Sequence, residues 1–303
     1  MDPTTRARAR LWLRSEAALG QEALPLRKPQ RADAEKTEKS AAPVVKGEKS
    51  APVPAEKPAS KSSIALQQAP GAASIDLFVA SDSPAALPPL PREEKTRLLA
   101  ELEEQQVRIC PKCRLAETRT QTVFGEGDVD APIFFIGEGP GETEDKTGRP
   151  FVGRAGQLLD QMIVAMGLKR GQVYIANIVK CRPPGNRAPA PDEVETCTPY
   201  LVRQIEIIRP KVIVTLGLPA AKYMLSSNWA PNRDPSRLGT LTMGRLRGQW
   251  HEWRGIKLMP TFHPAFLLRS YTVENRQAVW SDLQKVMDEI GLKGRKRKVE
   301  EPV

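Results

Sequence analysis

A three-layer α/β/α sandwich with a central, mainly parallel four-stranded sheet is the fold class that this 303-residue sequence predicts. Three observations predict it. Four short apolar runs, at 132–136, 173–179, 211–216 and 256–262, are each bounded by Gly, Pro or Asn, as buried strands are. Segments between and after them, at 156–166, 191–208, 219–225 and 277–290, repeat apolar residues at the 3.6-residue helical period. Strands and helices alternate, which builds a parallel sheet covered on both faces.

Taken in order, a helical stretch carrying Leu98, Leu99, Leu102 and Val107 leads into Cys110, and the strand–helix alternation then runs to about residue 290. Residues 227–250, rich in Asn, Arg, Gly and Pro, break the rhythm and read as an excursion ending in a hairpin near 244–253. The domain is therefore expected at 96–291. Residues 1–95 hold 12 of the 28 prolines and only two aromatics, Trp12 and Phe78. Such a composition buries too little apolar surface to offset an ordering cost of about 1–2 kcal/mol per residue, so a disordered tail is expected. A second, basic tail is expected at 292–303, with Lys293 to Lys298 its densest part.

These tails hold more than half of the +10 net charge. The basic excess favours a polyanionic partner, with the C-terminal run adding nonspecific phosphate affinity. No run reaches the roughly 18–20 apolar residues of a membrane helix, and the N-terminus lacks a signal peptide's apolar stretch, so a soluble, cytoplasmic protein with no membrane partner is expected. Four cysteines in a chain this long do not make a secreted disulfide framework.

Ligands of open parallel sheets gather beyond the carboxyl ends of the strands, so the residues there carry the functional reading. After the first run come Gly137-Glu-Gly-Pro-Gly-Glu-Thr-Glu-Asp145 and then Gly148 to Gly156; Asn177 lies in the second; His263-Pro264 follows the fourth. The glycine-rich turn fits neither nucleotide motif. Glu142 stands where the dinucleotide fingerprint needs its third glycine, and Asp145 stands before Lys146 where a phosphate loop needs glycine. Such a turn instead lets a flat neutral ring approach the backbone. Cys110-Pro-Lys-Cys113, Cys181 and Cys197 form a four-thiolate pattern, whose spacing alone leaves zinc and an iron–sulfur cluster open. Of the two histidines, His251 reads as structural and His263 as functional, by its place after a strand.

The segments GEGPGETEDKTGRPFVGRAGQLLD, NIVKCRPPGNRAPAPDE and FHPAFLLR, with the cysteine spacing, resemble the family 4 uracil-DNA glycosylases, the iron–sulfur type of bacteria and archaea. The resemblance spans about residues 98–290. It implies an enzyme of base excision repair that flips uracil out of DNA and hydrolyses its N-glycosidic bond, leaving an abasic site, and that acts as a monomer in the bacterial cytoplasm near the nucleoid. By the same resemblance Cys110, Cys113, Cys181 and Cys197 hold a [4Fe-4S] cluster. Asn177 reads the uracil edge, Phe151 stacks on the flipped base, Gly139 belongs to the uracil-binding turn, and Glu144 crowds the C5 edge. His263 donates to the developing uracil anion, while Glu138 orients water or stabilises the sugar cation. Leu267, Leu268 and Arg269 form the wedge that fills the vacated stack. Two other readings remain: a noncatalytic or covalently trapping uracil-DNA-binding protein on the same scaffold, and a cluster-bearing redox protein. Against trapping, the loop between Cys181 and Cys197 contains no histidine.

Overall fold

The computed structural model describes residues 90–226 and 240–292. Most of the expected N-terminal tail, the first half (227–239) of the 227–250 excursion and the basic run after Leu292 lie outside the described residues. The elements are α1 (Arg92–Leu102, prolonged by a π-helical turn to Val107), α2 (Leu115–Thr118), β1 (Glu126–Gly127), β2 (Ile133–Gly137), α3 (Glu142–Thr147), α4 (Arg154–Ala165) and β3 (Tyr174–Asn177). After these follow α5 (Pro191–Ile208), β4 (Val212–Leu216), α6 (Leu218–Ser226), α7 (Met243–Leu246), β5 (His251–Trp253), β6 (Ile256–Thr261), α8 (Pro264–Arg269) and α9 (Val273–Glu289).

The sheet has six strands in the order β1-β3-β2-β4-β6-β5, not four. Its centre, β3-β2-β4-β6, is parallel throughout and corresponds to the four expected runs. The two additional strands pair antiparallel at the edges and are two and three residues long, too short to leave an alternation signal.

Successive residues of the central strands face opposite layers. Ile133, Phe135, Ile175, Val212, Val214 and Met259 pack with Leu159, Met162 and Ile163 of α4 and Leu283 and Val286 of α9. Phe134, Ile136, Tyr174, Ala176, Ile213 and Leu258 pack instead with Leu99 and Leu102 of α1, Leu201 and Ile205 of α5, and Met224 of α6. Each fully buried Ile, Val, Leu or Phe contributes about 1.5–3 kcal/mol relative to exposure, which is why the strands read as continuous apolar runs.

Two expected boundaries shift. Helix α1 begins at Arg92, inside the expected tail, because its charged residues anchor it: Lys95 is buried and donates to Asp130 Oδ1 (2.8 Å) and Ile208 O (3.1 Å), and Arg92 pairs with Asp128 and Asp130. The hairpin expected near 244–253 is β5–β6, turning at Arg254-Gly255, while α7 occupies part of the expected span. Both turn residues have positive φ (48° and 79°), which a tight two-residue hairpin turn requires; an arginine in the first position hides that signal.

Chain direction sets the site. From β2 the chain moves outward to β3, and from β4 it moves the other way to β6, so the strand order reverses between β2 and β4. The crevice beyond their carboxyl ends receives Gly137, Asn177, Gly217 and His263.

Candidate functional site

Three residues meet over the end of β2. A Cβ at Gly137 would lie 2.3 Å from Asn177 Oδ1 and 2.5 Å from Phe151 Cζ, so glycine is what lets these side chains converge there. Register pairs Gly137 with Asn177 across β2–β3. Asn177 is 1% exposed, and its Oδ1 has no hydrogen-bond partner among the described residues. A buried acceptor without a partner costs about 1–3 kcal/mol, and a ligand donor would remove that cost.

Phe151 sits in a left-handed conformation (φ 51°) that a bulky residue adopts only when its surroundings hold it. Those surroundings are identifiable. Arg170 donates to the Phe151 carbonyl (3.2 Å) and the Pro150 carbonyl while pairing with Glu126 and Asp160, each at 2.6 Å. Glu144 Oε1 accepts from the amides of Val152 (2.9 Å) and Gly153 (2.8 Å) at the start of α4. A Cβ at Gly156 would overlap the Phe151 carbonyl at 1.9 Å, so the helix can pass this close only with glycine there. Glu144 thus braces the turn that presents Phe151.

His263 caps α8. Its Nδ1 accepts from the Ala265 amide (3.1 Å), which leaves the ring proton on Nε2 and makes that nitrogen a donor. Burial, helped by the positive charge of Arg269, pulls its pKa down to about 4, against an opposing effect of Glu144; the imidazole is neutral at pH 7. Its ring centroid lies 5.7 Å from that of Phe151, tilted 33°. Gly217, at φ 92°, gives it room: a Cβ there would come within 3.0 Å of His263 Cβ.

Glu138 follows Gly137 directly. Among the described residues its carboxylate has no hydrogen-bond or ion-pair partner, and burial alone raises its pKa. Gly139 packs the same turn against Val179, 2.9 Å from a would-be Cβ. Asp145 accepts from the Thr120 amide (3.0 and 3.1 Å), and Glu142 pairs with Lys146 (2.6 Å).

The expected wedge divides. Leu267 is fully buried in the layer formed with α4 and α9, so it cannot enter a DNA stack; α8 turns that face inward. Leu268 is 37% exposed and Arg269 is exposed, which leaves these two outward-facing.

The four cysteines line one pocket together with Val107, Arg119, Lys180, Thr196 and Tyr200. Three donors point at sulfur: Arg119 Nη1 to Cys181 (3.1 Å), Tyr200 Oη to Cys110 (3.3 Å) and the Lys180 amide to Cys197 (3.2 Å). Burial raises the Cys181 thiol and pushes Cys197 up to about 12, so bare thiolates are disfavoured there. Among the described residues no group of three or more His, Cys, Asp or Glu is spaced for a single metal ion. Four cysteines and no histidine line this pocket, a donor set that suits either zinc or an iron–sulfur cluster.

Beside this pocket, Glu193 is fully buried and ties two loops together. It accepts from Arg187 (2.6 and 2.8 Å), Arg114 Nε (2.7 Å) and the Ala190 amide (2.7 Å). Arg187 first, then the Ala190 amide and Arg114, hold its pKa down to about 2 against burial. A depressed carboxyl pKa contributes stability present above about pH 4.5 and lost as pH falls toward 2. Glu193→Gln is expected to lower the unfolding free energy at pH 7 by about 2–3 kcal/mol, discounted for the exposure of both arginines. In urea titrations at pH 7 and pH 3, the gap from wild type should shrink at the lower pH.

Arg170, Arg119, Tyr200 and Glu193 escaped the sequence reading because their contacts to Glu126, Cys181, Cys110 and Arg114 span 44 to 90 residues. Lys180 alone left a trace, as a lysine closing an otherwise apolar run.

Comparison with known proteins places the chain in a family. The family model described as the uracil DNA glycosylase superfamily matches residues 124–284. The type-4 uracil-DNA glycosylase of Thermotoga maritima is 44% identical over 197 residues, covering 65% of this chain and 97% of the relative. Those of Sulfurisphaera tokodaii and Saccharolobus solfataricus are 46% and 43% identical, over 61% and 62% of this chain and 82% and 85% of their own lengths.

Proposed function

Because this chain belongs to the uracil-DNA glycosylase superfamily, we propose that the crevice between β2 and β4 holds a flipped uracil while its N-glycosidic bond is hydrolysed. The chain is a uracil-DNA glycosylase, an enzyme of DNA repair that acts on DNA. The single observation that carries the assignment of roles is the buried, unpartnered Asn177 Oδ1 on the glycine floor beside Phe151.

Uracil N3–H donates to Asn177 Oδ1, and the Asn177 amide donates to O4. Cytosine reverses this pattern and would leave buried polar groups unpaired. Phe151 stacks on the ring, its angle held by Arg170 and Glu144. As the bond to sugar lengthens, negative charge accumulates on the base. Neutral His263 meets it with Nε2–H at O2, and no proton need leave the ring. Glu138, free of internal partners among the described residues, orients water or stabilises the cationic sugar. Gly139 keeps the turn low beneath the base. Extrusion costs a few kcal/mol, and Leu268 with Arg269 fills the gap; Leu267 instead anchors their helix.

Cys110, Cys113, Cys181 and Cys197 would hold a [4Fe-4S] cluster, whose contribution is to clamp the end of α1 to the loop after β3 and to α5. The enzyme acts as a monomer on uracil in single- or double-stranded DNA, near the nucleoid. Among the described residues no helix is long and apolar enough to cross a membrane.

A uracil-containing oligonucleotide treated with the enzyme and then alkali should break in molar excess over protein; a stoichiometric protein–DNA adduct would instead establish trapping. Glu138→Gln is expected to bind uracil-DNA as wild type does but to slow single turnover by about 10²–10⁴-fold. Unchanged turnover would remove Glu138 from the mechanism.

A further inference from the structure

Between the base-reading pocket and the cysteine pocket stands one side chain that the mechanism does not use. Lys180 is 1% exposed. Its Nζ donates to the Asn177 backbone carbonyl (3.0 Å) and to Gln204 Oε1 (2.5 Å), and lies 5.9 Å from the Phe124 ring centroid. Its own amide donates to Cys197 Sγ (3.2 Å). Its side chain thus reaches the Asn177 peptide and the glutamine that fixes it, its amide reaches the cysteine pocket, and its carbonyl accepts from the Val123 amide (2.7 Å).

The charge balance points the same way. A buried ammonium needs an opposing charge, yet Lys180 has no carboxylate partner among the described residues. Lys180 itself lines the pocket of the four cysteines, beside Cys181 and Cys197. With a cluster bound, four thiolates supply that countercharge; without it, the lysine faces neutral thiols. The Asn177 side chain has little slack, because Gly137 and Phe151 close around Oδ1. A shift of the Asn177 peptide therefore moves the base-reading amide.

We propose that Lys180 is a positioning residue that couples the cysteine centre to Asn177, so that an intact centre and a correctly aimed uracil-reading amide support each other. The inference rests on the uracil-reading role of Asn177 and on the cluster. Coupling of this kind is reciprocal: if the centre steadies Asn177, a base held by Asn177 must steady the centre.

The test uses the full-length, iron-loaded enzyme and free uracil as the probe. Iron release to a chelator is followed by loss of visible absorbance, with and without saturating uracil, in wild type, Lys180→Met and Gln204→Met. Uracil is expected to slow release from wild type by about fivefold or more, the lower end of ordinary coupling. It should leave Lys180→Met unchanged and have a smaller effect on Gln204→Met, where the ammonium keeps only its Asn177 contact. Wild-type release indifferent to uracil would overturn the proposal, as would a Lys180→Met protein that keeps the full effect. If Lys180→Met does not fold, the wild-type and Gln204→Met comparison decides alone, an undiminished effect in Gln204→Met then counting against it. A protein purified without iron overturns the cluster reading and the coupling with it, whereas failure to release uracil from DNA overturns the assigned chemistry; each leaves a different signature.

Discussion

Asn177→Leu is expected to lower the single-turnover rate of uracil release by about 10³–10⁴-fold while leaving the fold as stable as before, or more so. The two halves of this result have one cause. Asn177 is 1% exposed and carries a buried oxygen without an internal partner, a cost that the free enzyme bears so that a base can remove it. Leucine, of similar volume, relieves that cost by about 1–3 kcal/mol but offers uracil neither a donor nor an acceptor. Single-turnover cleavage of a uracil oligonucleotide and urea unfolding at pH 7 measure the two effects independently. A structural asparagine would behave in the opposite way, with stability falling and activity following it. Affinity for undamaged DNA should not move, because that term is set by phosphates outside the pocket.

Why Asn177 was readable and Arg170 was not follows from the physics of each position. Asn177 interrupts an apolar run at the carboxyl end of a strand in a parallel sheet, where ligands gather and where a buried polar side chain needs a partner, internal or bound. The four central strands were legible for the same reason, since both of their faces are covered. Arg170 lies in an ordinary polar turn, and only the tertiary fold brings it under the Pro150 and Phe151 carbonyls. Leu267 and Leu268 show the limit in another form. They are adjacent and chemically identical, and the orientation of a six-residue helix alone buries one and exposes the other. The cysteine spacing announced four thiolates but not the three donors around them, which come from separate parts of the chain.

His263→Gln is expected to reduce single turnover by about 10²–10³-fold, the usual consequence of losing one preorganised donor to a developing oxyanion. The pH dependence separates this role from acid catalysis. Nδ1 is committed as an acceptor to the Ala265 amide, so the neutral ring already offers Nε2–H. Since the pKa lies near 4, the free enzyme should show no break in kcat/KM near pH 6.5; a general acid would require a protonated ring and would lose activity through that region. Stability carries a second signature. A histidine whose folded pKa is depressed contributes stability fully present above its unfolded value of about 6.5 and lost as pH falls toward 4, a loss of about 3 kcal/mol at most. His263→Gln cannot take up that proton, so between pH 7 and pH 4.5 its unfolding free energy should fall less than that of wild type. An equal fall in both proteins would show that folding leaves the titration of this imidazole unchanged, whereas a wild-type loss of activity above pH 6.5, absent from the variant, would mean that the working ring is protonated and meets the uracil anion with a full positive charge.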